Sequence, residues 1–209
     1  IDGIMIRTFD HSDVTTLAKY ADIPVINGLT DLLHPCQVMA DLFTIQEKKG
    51  RLEGLKLTYA GDGNNMANTL MHGGARVGMD VTIACPPGYE PDPEMVAQAR
   101  EDARETGARI EVVNDPFEGV KGADVVYTDV WASMGQEQEH AERVKVMKPY
   151  QVNSELMAAA KPNAIFLHCL PAHRGEDVTD EVIDGPQSAV WDEAENRMHV
   201  QKAILALVM

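Results

Sequence analysis

Short apolar runs alternate with longer amphipathic stretches along the chain. Several of the runs lack an alternation of polar and apolar residues, as expected for strands that are buried on both faces. This rhythm is typical of β-α-β units, in which helices cover both sides of a parallel sheet. The pattern therefore predicts an α/β fold with a doubly wound parallel sheet.

The same pattern predicts the individual elements. One helix opens at His34 and Pro35 and stops before Gly50, with proline in its first turn and glycine past its end. Further helices are predicted over about 65–76, 94–106 and 195–208. The predicted strands cover 24–29, 55–60, 81–84, 109–113, 124–128, 164–168 and 188–191.

Composition narrows the class of protein. Hydrophobic residues make up 44% of the 209 residues and aromatic ones only 5%, so aliphatic side chains must fill the core. The net charge of −15 works against non-specific binding to nucleic acid or to an anionic membrane. Three cysteines suit a reducing compartment better than a disulfide framework. Neither a secretion signal nor an apolar span of about 18 residues is recognisable, so we expect a soluble, cytoplasmic protein.

A glycine turn follows the predicted strand 55–60. Gly61 and Gly63 match the first two glycines of a dinucleotide-binding turn, as in a Rossmann-like domain, but Met66 replaces the third. The next strand ends in Cys85 rather than in an acid that could bind a ribose. An NAD-linked oxidoreductase is therefore disfavoured. The turn is either structural, or it presents Asn64 or Asn65 at a helix N-terminus to a small carboxylate.

Two other segments carry candidate chemistry. His34 and Gln37 are three residues apart at the start of a helix, so they lie on one face and could bind a carbonyl or amide. Taken alone, however, a His-Pro pair is more often a helix cap than a catalytic group. Asp129 and Ser133 follow a predicted strand and could hold a cationic amine, or merely cap a turn.

The apolar run 164–168 ends in His168, Cys169, Leu170 and Pro171. A strand that ends in an imidazole and a thiol delivers reactive groups to the rim of the sheet, where open α/β folds bind ligands. Cys169 could also be an inert buried thiol. His34, Cys36, His168 and Cys169 lack the close paired spacing of structural zinc motifs, so no metal site is predicted.

Taken in order, these strings resemble the ornithine carbamoyltransferases within the aspartate/ornithine carbamoyltransferase family, and the resemblance covers essentially the whole chain. One feature departs from it, because the family's phosphate-binding Ser-Thr-Arg-Thr loop has no counterpart here. By this resemblance the sequence corresponds to the C-terminal part of a family member and starts midway through its first domain. The strings are His34-Pro35-Cys36-Gln37, Gly61 to Asn65, Asp129 to Gly135, His168 to Pro171 and Ala194 to Arg197.

The resemblance implies a division of the chain and a set of site residues. Residues 1–50 would be the C-terminal part of a carbamoyl-phosphate domain, 51–190 an ornithine domain, and 191–209 a helix that returns to the first domain. Cys169, Asp129 and His34 would be catalytic. The residues around carbamoyl phosphate would be Arg7, His34, Gln37, Cys169, Leu170 and Arg197, and those around ornithine Asn65, Asp129, Ser133 and Met134.

The implied reaction joins carbamoyl phosphate and L-ornithine to give L-citrulline and phosphate, with no metal or organic cofactor. The implied partners are these two small molecules and further copies of the chain, in a trimer or a multiple of trimers. An alternative hypothesis is a folded ornithine-binding module without turnover, because part of the phosphate site has no counterpart.

Overall fold

The computed structural model describes residues 1–132 and 140–209. The strands are β1 (Ile4–Arg7), β2 (Val25–Leu29), β3 (Lys56–Ala60), β4 (Asp80–Ala84), β5 (Ile110–Val113), β6 (Val125–Thr128) and β7 (Ile165–His168). The helices are α1 (His11–Tyr20), α2 (Pro35–Lys49), α3 (Asn65–Val77), α4 (Pro93–Thr106), α5 (Pro116–Val120), α6 (His140–Met147), α7 (Ser154–Ala159), α8 (Asp180–Ile183) and α9 (Val190–Val208). A 3-10 turn, Lys148–Tyr150, follows α6.

Five parallel strands form the main sheet in the order β5-β4-β3-β6-β7. The chain builds outward from β3 to β5, then crosses back to place β6 on the other side of β3. The order of the strands therefore reverses between β3 and β6, which is where sheets of this kind bind ligands.

Helices cover both faces of this sheet, as the apolar runs predict. Leu57 and Tyr127 point into one core, together with residues of α2, α3 and α4. Val126 and Phe166 point into the other, which α7 and α8 complete. Because neighbouring residues of a strand face opposite sides, these strands are buried on both faces and mostly apolar.

Near the start of the chain, β1 pairs in parallel with β2 in a separate two-stranded sheet. Helix α2, which follows β2, packs against both α3 and α9. Val38 and Ile45 of α2 lie in the same core as the main sheet. A Cβ at Gly73 of α3 would come within 2.6 Å of the Val38 side chain, so α2 and α3 approach closely only because residue 73 is glycine.

The predicted α/β class, its parallel sheet and six of the seven predicted strands are confirmed. The strand predicted at 188–191 is wrong: Ser188 makes only an isolated bridge to Phe166, and α9 begins at Val190. The last helix therefore starts earlier than the predicted Glu195. Strand β1 and helix α1 were not predicted, since β1 is only four residues long and α1 carries β-branched Val14, Thr15 and Thr16.

Within the described ranges, none of the helices is both long and apolar enough to cross a membrane.

Candidate active site

The C-terminal ends of β6 and β7 bring Asp129 and Cys169 together. Thr128 is paired with His168 in the register of these two strands. Asp129 and Cys169, which directly follow this pair, therefore lie next to each other. The Sγ of Cys169 lies 3.0 Å from Oδ1 of Asp129, and both residues are buried.

The Asp129 carboxylate accepts two further hydrogen bonds. The Val130 amide donates to Oδ1 at 2.7 Å, and the Asn64 side chain donates to Oδ2 at 2.9 Å. Asn64 is itself fixed, because its Oδ1 accepts from Met66 and Ala67 in the first turn of α3. An ionised carboxylate has about four acceptor sites, so these three bonds leave room on Oδ2 for one more donor.

Cys169 is a protonated thiol rather than a thiolate. Burial raises the pKa of Cys169 well above its ordinary value, and the nearby Asp129 carboxylate raises it further. A thiol in this state is a weak nucleophile but can donate a hydrogen bond. The arrangement therefore suits orientation of a neighbouring group better than covalent attack.

A positively charged group of residues lies close to this pair. His34 precedes α2, and its side chain makes no hydrogen bond to the helix end. Burial, together with the charges of Arg197 and Arg7, lowers the pKa of His34 to about 4. Arg197 of α9 makes a long contact of 3.5 Å to the backbone oxygen of Cys169. At neutral pH the site thus combines a neutral imidazole with two guanidinium groups.

Gln37 is fully buried and is held by two carboxyl groups. Its Nε2 donates to Asp41 at 2.8 Å and to Glu193 of α9 at 3.0 Å. Because Gln37 Nε2 is directed at these two carboxyl groups, Gln37 Oε1 is directed away from them. Among the described residues, nothing donates to Gln37 Oε1, and His34 Nδ1 also has no partner. Buried polar atoms of this kind normally have a hydrogen-bond partner, so both atoms mark places where a ligand could bind.

Asp41 and Glu193 form a buried carboxyl pair beneath Gln37. Burial raises the pKa of both groups, and for Asp41 the neighbouring Glu193 adds to the rise. Glu193 accepts from the Tyr127 hydroxyl at 3.1 Å and from the His168 amide at 2.9 Å, so it is the ionised member of the pair. Asp41 is therefore the protonated member of the pair, and its carboxyl group makes a hydrogen bond to Glu193.

His168 does not face the site. Its Nε2 lies 2.9 Å from the buried Asp177 carboxylate, and its Nδ1 accepts from the Leu170 amide. Both ring nitrogens are engaged, which also deprives the cluster of Asp129, His168 and Cys169 of an imidazole ligand for a metal ion. The Leu170 amide is used in this contact, so the backbone group that Leu170 can offer to a ligand is its carbonyl.

Comparison with known families finds two profiles that match successive parts of the chain. The profile described as "Aspartate/ornithine carbamoyltransferase, Asp/Orn binding domain" matches residues 53–208, and that of the "carbamoyl-P binding domain" matches residues 1–47. The chain belongs to the aspartate/ornithine carbamoyltransferase family.

Individual members of this family resemble the chain over its whole length. It is 61% identical to the ornithine carbamoyltransferase of Thermococcus kodakarensis and 59% identical to the anabolic ornithine carbamoyltransferase of Pyrococcus furiosus, each over 209 residues. These matches cover 100% of this chain and 66% of each relative. The chain thus spans about two thirds of the length of these relatives.

Solved structures of the family superpose closely on the fold. The Pyrococcus furiosus enzyme matches with a TM-score of 0.97 at 59% identity, over 100% of this chain and 67% of that one. The enzyme from Gloeobacter violaceus matches with a TM-score of 0.94 at 53% identity, over 100% and 70%.

Asn65, a predicted site residue, is not part of the cluster around Asp129, Cys169 and His34. Asn65 opens α3, and its Nδ2 donates to the backbone oxygen of Thr30 at 2.7 Å, so it links α3 to the segment before α2. Ser133 and Met134 lie outside the described residues. The sequence reasoning did not identify Asn64 as the holder of Asp129, nor the pair Asp41 and Glu193. Asp41 carried one usable signal, since it lies one helical turn after Gln37 on the buried face.

Proposed function

We propose that the chain carries the ornithine site and much of the carbamoyl-phosphate site of an ornithine carbamoyltransferase. The reaction transfers the carbamoyl group of carbamoyl phosphate to the δ-amine of L-ornithine, giving L-citrulline and phosphate. The observation that carries the proposal is the Cys169 to Asp129 hydrogen bond at the ends of β6 and β7, next to the point where the strand order reverses, with His34 and Arg197 beside it.

Ornithine would bind at the ends of β3 and β6. The remaining acceptor position of Asp129 suits an ammonium group, and the Cys169 thiol would hold the neutral δ-amine in position for attack. We place Ser133 and Met134 of the following segment, and Asn65 at the start of α3, around the α-amino and α-carboxylate groups.

Carbamoyl phosphate would bind between α2, α9 and β1. Arg7 and Arg197 suit the phosphate, because guanidinium groups bind phosphate oxygens with two parallel hydrogen bonds. The neutral His34 would donate to the carbonyl oxygen. Gln37 Oε1 and the Leu170 carbonyl are the acceptors suited to the NH₂ of the carbamoyl group.

The chemical steps follow from this placement. The δ-nitrogen attacks the carbamoyl carbon, a tetrahedral oxyanion forms, the carbon-oxygen bond to phosphate breaks, and the proton lost from the amine leaves with phosphate. Fixed donors contribute most where charge develops, which is at the carbonyl oxygen near His34 and at the phosphate near the arginines. Alignment of the two substrates could supply up to ~7–11 kcal/mol of the barrier reduction.

We further propose the division into a carbamoyl-phosphate unit at 1–50, an ornithine unit at 51–190 and the returning helix at 191–209, together with assembly as trimers in the cytoplasm. The packing of α9 on α2 supports the last part of this division. Three buried free thiols support a reducing compartment.

A two-part experiment tests the proposal. Ornithine binding is measured by calorimetry on the 209-residue chain, and citrulline formation on a chimera that adds the residues preceding the matched region in the Pyrococcus furiosus relative. We expect the chain alone to bind ornithine without detectable citrulline, because a phosphate-binding loop is absent from its sequence, and we expect the chimera to form citrulline. A folded chimera that binds ornithine but makes no citrulline would favour a binding module instead, and turnover by the chain alone would place the phosphate site on other residues.

A further inference from the structure

A cluster of two histidines and a glutamate lies outside the proposed active site. His140 is the first residue of α6, whereas His173 and Glu176 belong to the segment after β7. The candidate ligand atoms of the three side chains all lie within 4.8 Å of one another. The side chains are 41%, 47% and 34% exposed, so a metal ion from solvent can reach them.

The distances within this cluster are close to those of a zinc site. In a tetrahedral complex with Zn–N and Zn–O bonds of about 2.0–2.2 Å, ligand atoms lie about 3.3 Å apart. His140 Nε2 is 3.0 Å from Glu176 Oε2, and His173 Nδ1 is 3.6 Å from the same oxygen. Small rotations of the side chains would bring all three atoms to bonding distance of one ion.

The backbone that carries His173 and Glu176 is already fixed. The Glu176 amide donates to the His173 carbonyl, and Gln151 donates to the backbone oxygens of Gly175 and Glu176. The His173 amide donates to the buried Asp177 carboxylate. Two of the three ligands therefore come from one rigid turn, which lowers the entropy lost when a metal ion binds.

Helix α6 fixes the third ligand. Arg143 forms a largely buried ion pair of 2.8 Å with Asp62, and Met147 is fully buried. These contacts hold the first turn of α6, with His140, beside the turn that carries Glu176. The neighbouring cation Arg174 is bound to Asp180 and Asp184, so it does not compete for Glu176.

We propose that His140, His173 and Glu176 form a binding site for a divalent transition-metal ion, with Zn²⁺ as the favoured metal. Two imidazoles and one carboxylate suit Zn²⁺, and solvent supplies the fourth ligand. Binding replaces the contact between His140 and Glu176 and releases any proton held between them to solvent. The ion would join the start of α6 to the turn that follows Leu170 and Pro171.

The test is a titration of the 209-residue chain with Zn²⁺ alone, followed by calorimetry, and with Co²⁺ followed by its visible absorption spectrum. We expect one strong site, and a tetrahedral Co²⁺ spectrum. His140→Ala, His173→Ala and Glu176→Gln should each weaken Zn²⁺ binding about tenfold or more, since even the loss of an outer partner of a metal ligand costs 10- to 100-fold.

His199→Ala is the matched control. His199 also contacts a glutamate, Glu195, at 3.5 Å on an exposed surface, but among the described residues no third histidine, cysteine or carboxylate completes a metal-binding group with this pair. This variant should bind Zn²⁺ as the parent does. Circular dichroism and urea unfolding show whether each variant is folded. Unchanged binding in folded His140→Ala and Glu176→Gln, or complete loss of binding in Cys169→Ser, would overturn the proposal.

The result is independent of carbamoyl transfer, because metal binding is measured without either substrate. Failure of the chimera to form citrulline would leave this proposal standing.

Discussion

Cys169 and Asp129 are 40 residues apart in the chain, yet the thiol and the carboxylate are joined by a hydrogen bond of 3.0 Å. The contact follows from strand register, because the two residues directly follow the paired residues Thr128 and His168. The position of the thiol is therefore fixed by the register of two paired strands, β6 and β7, rather than by a loop. We expect it to be insensitive to changes on the surface.

Replacing Cys169 by alanine should impair the use of ornithine more than it impairs folding. The lost sulfur atom costs ~1 kcal/mol in packing, whereas the δ-amine loses its orienting group. Turnover of the chimera and urea unfolding of the same variant measure the two effects. Cys85→Ala is the matched control, since Cys85 is also a buried thiol of the same core, and no hydrogen bond between it and Asp129 is found among the described residues. A large loss of stability with normal turnover per folded molecule would identify Cys169 as a packing residue.

Asp129→Asn should weaken ornithine binding far more than carbamoyl-phosphate binding. The variant removes a negative charge that would face an ammonium group in a buried site, at a cost of ~2–5 kcal/mol. Calorimetric titration of each substrate separately on the chimera measures the difference. Asp102→Asn, at a solvent-accessible ion pair with Arg76, provides the control. Equal losses for the two substrates would remove Asp129 from the proposed ornithine site.

His34 should make the folded chain less stable in mild acid. Its pKa is about 4 in the folded state and near 6.5 when exposed, so between these values the unfolded chain binds the additional proton. The free energy of unfolding should consequently fall as the pH drops from 6.5 towards 4, by up to about 3 kcal/mol from this group. Urea unfolding at several pH values should show a shallower pH dependence for His34→Gln than for the parent. The same slope in both proteins would show that His34 is not the group responsible.

Replacing Asp41 or Glu193 by its amide should change the free energy of unfolding by very different amounts. Because Asp41 is protonated, Asp41→Asn keeps a donor towards Glu193 and should cost less than about 1 kcal/mol in the free energy of unfolding. Glu193→Gln removes the charge that accepts from Tyr127, His168 and Gln37, and should cost about 3–5 kcal/mol. Urea unfolding at pH 7 compares the two variants, and the reverse order would place the proton on Glu193.

The sequence predicted the layers of the fold better than the contacts of the site. The apolar runs predict the central strands because burial on both faces leaves few polar positions, and Asp129 and Cys169 follow from the ends of those runs. The sequence could not show that Asn64 turns towards Asp129 while Asn65 turns towards Thr30. Which of two adjacent side chains caps a helix depends on backbone angles that both residues can adopt.

The contact between Asp41 and Glu193 could not be predicted from the sequence for a different reason. Asp41 and Glu193 lie in two helices far apart in the chain, and each reads as an ordinary surface acid until α9 is packed against α2. The contact between Asp41 and Glu193 depends on the packing of α9 on α2, which the local pattern of apolar and polar residues does not predict. The strand predicted at 188–191 failed for a related reason, because the backbone there does pass beside β7 but continues into a helix.

The packing of Val38 against Gly73 also determines which parts of the chain can move as a rigid body. Helix α2 directly follows β2 in the sequence, but its side chains pack into the core of the main sheet. Moving α2 away from α3 would create voids in that core, at a cost of roughly 20 cal/mol for each Å² of cavity surface. A hinge before α2 is therefore less costly than one after Gly50, so in any rigid-body tilt of β1, α1 and β2 we expect α2 to stay with the main sheet.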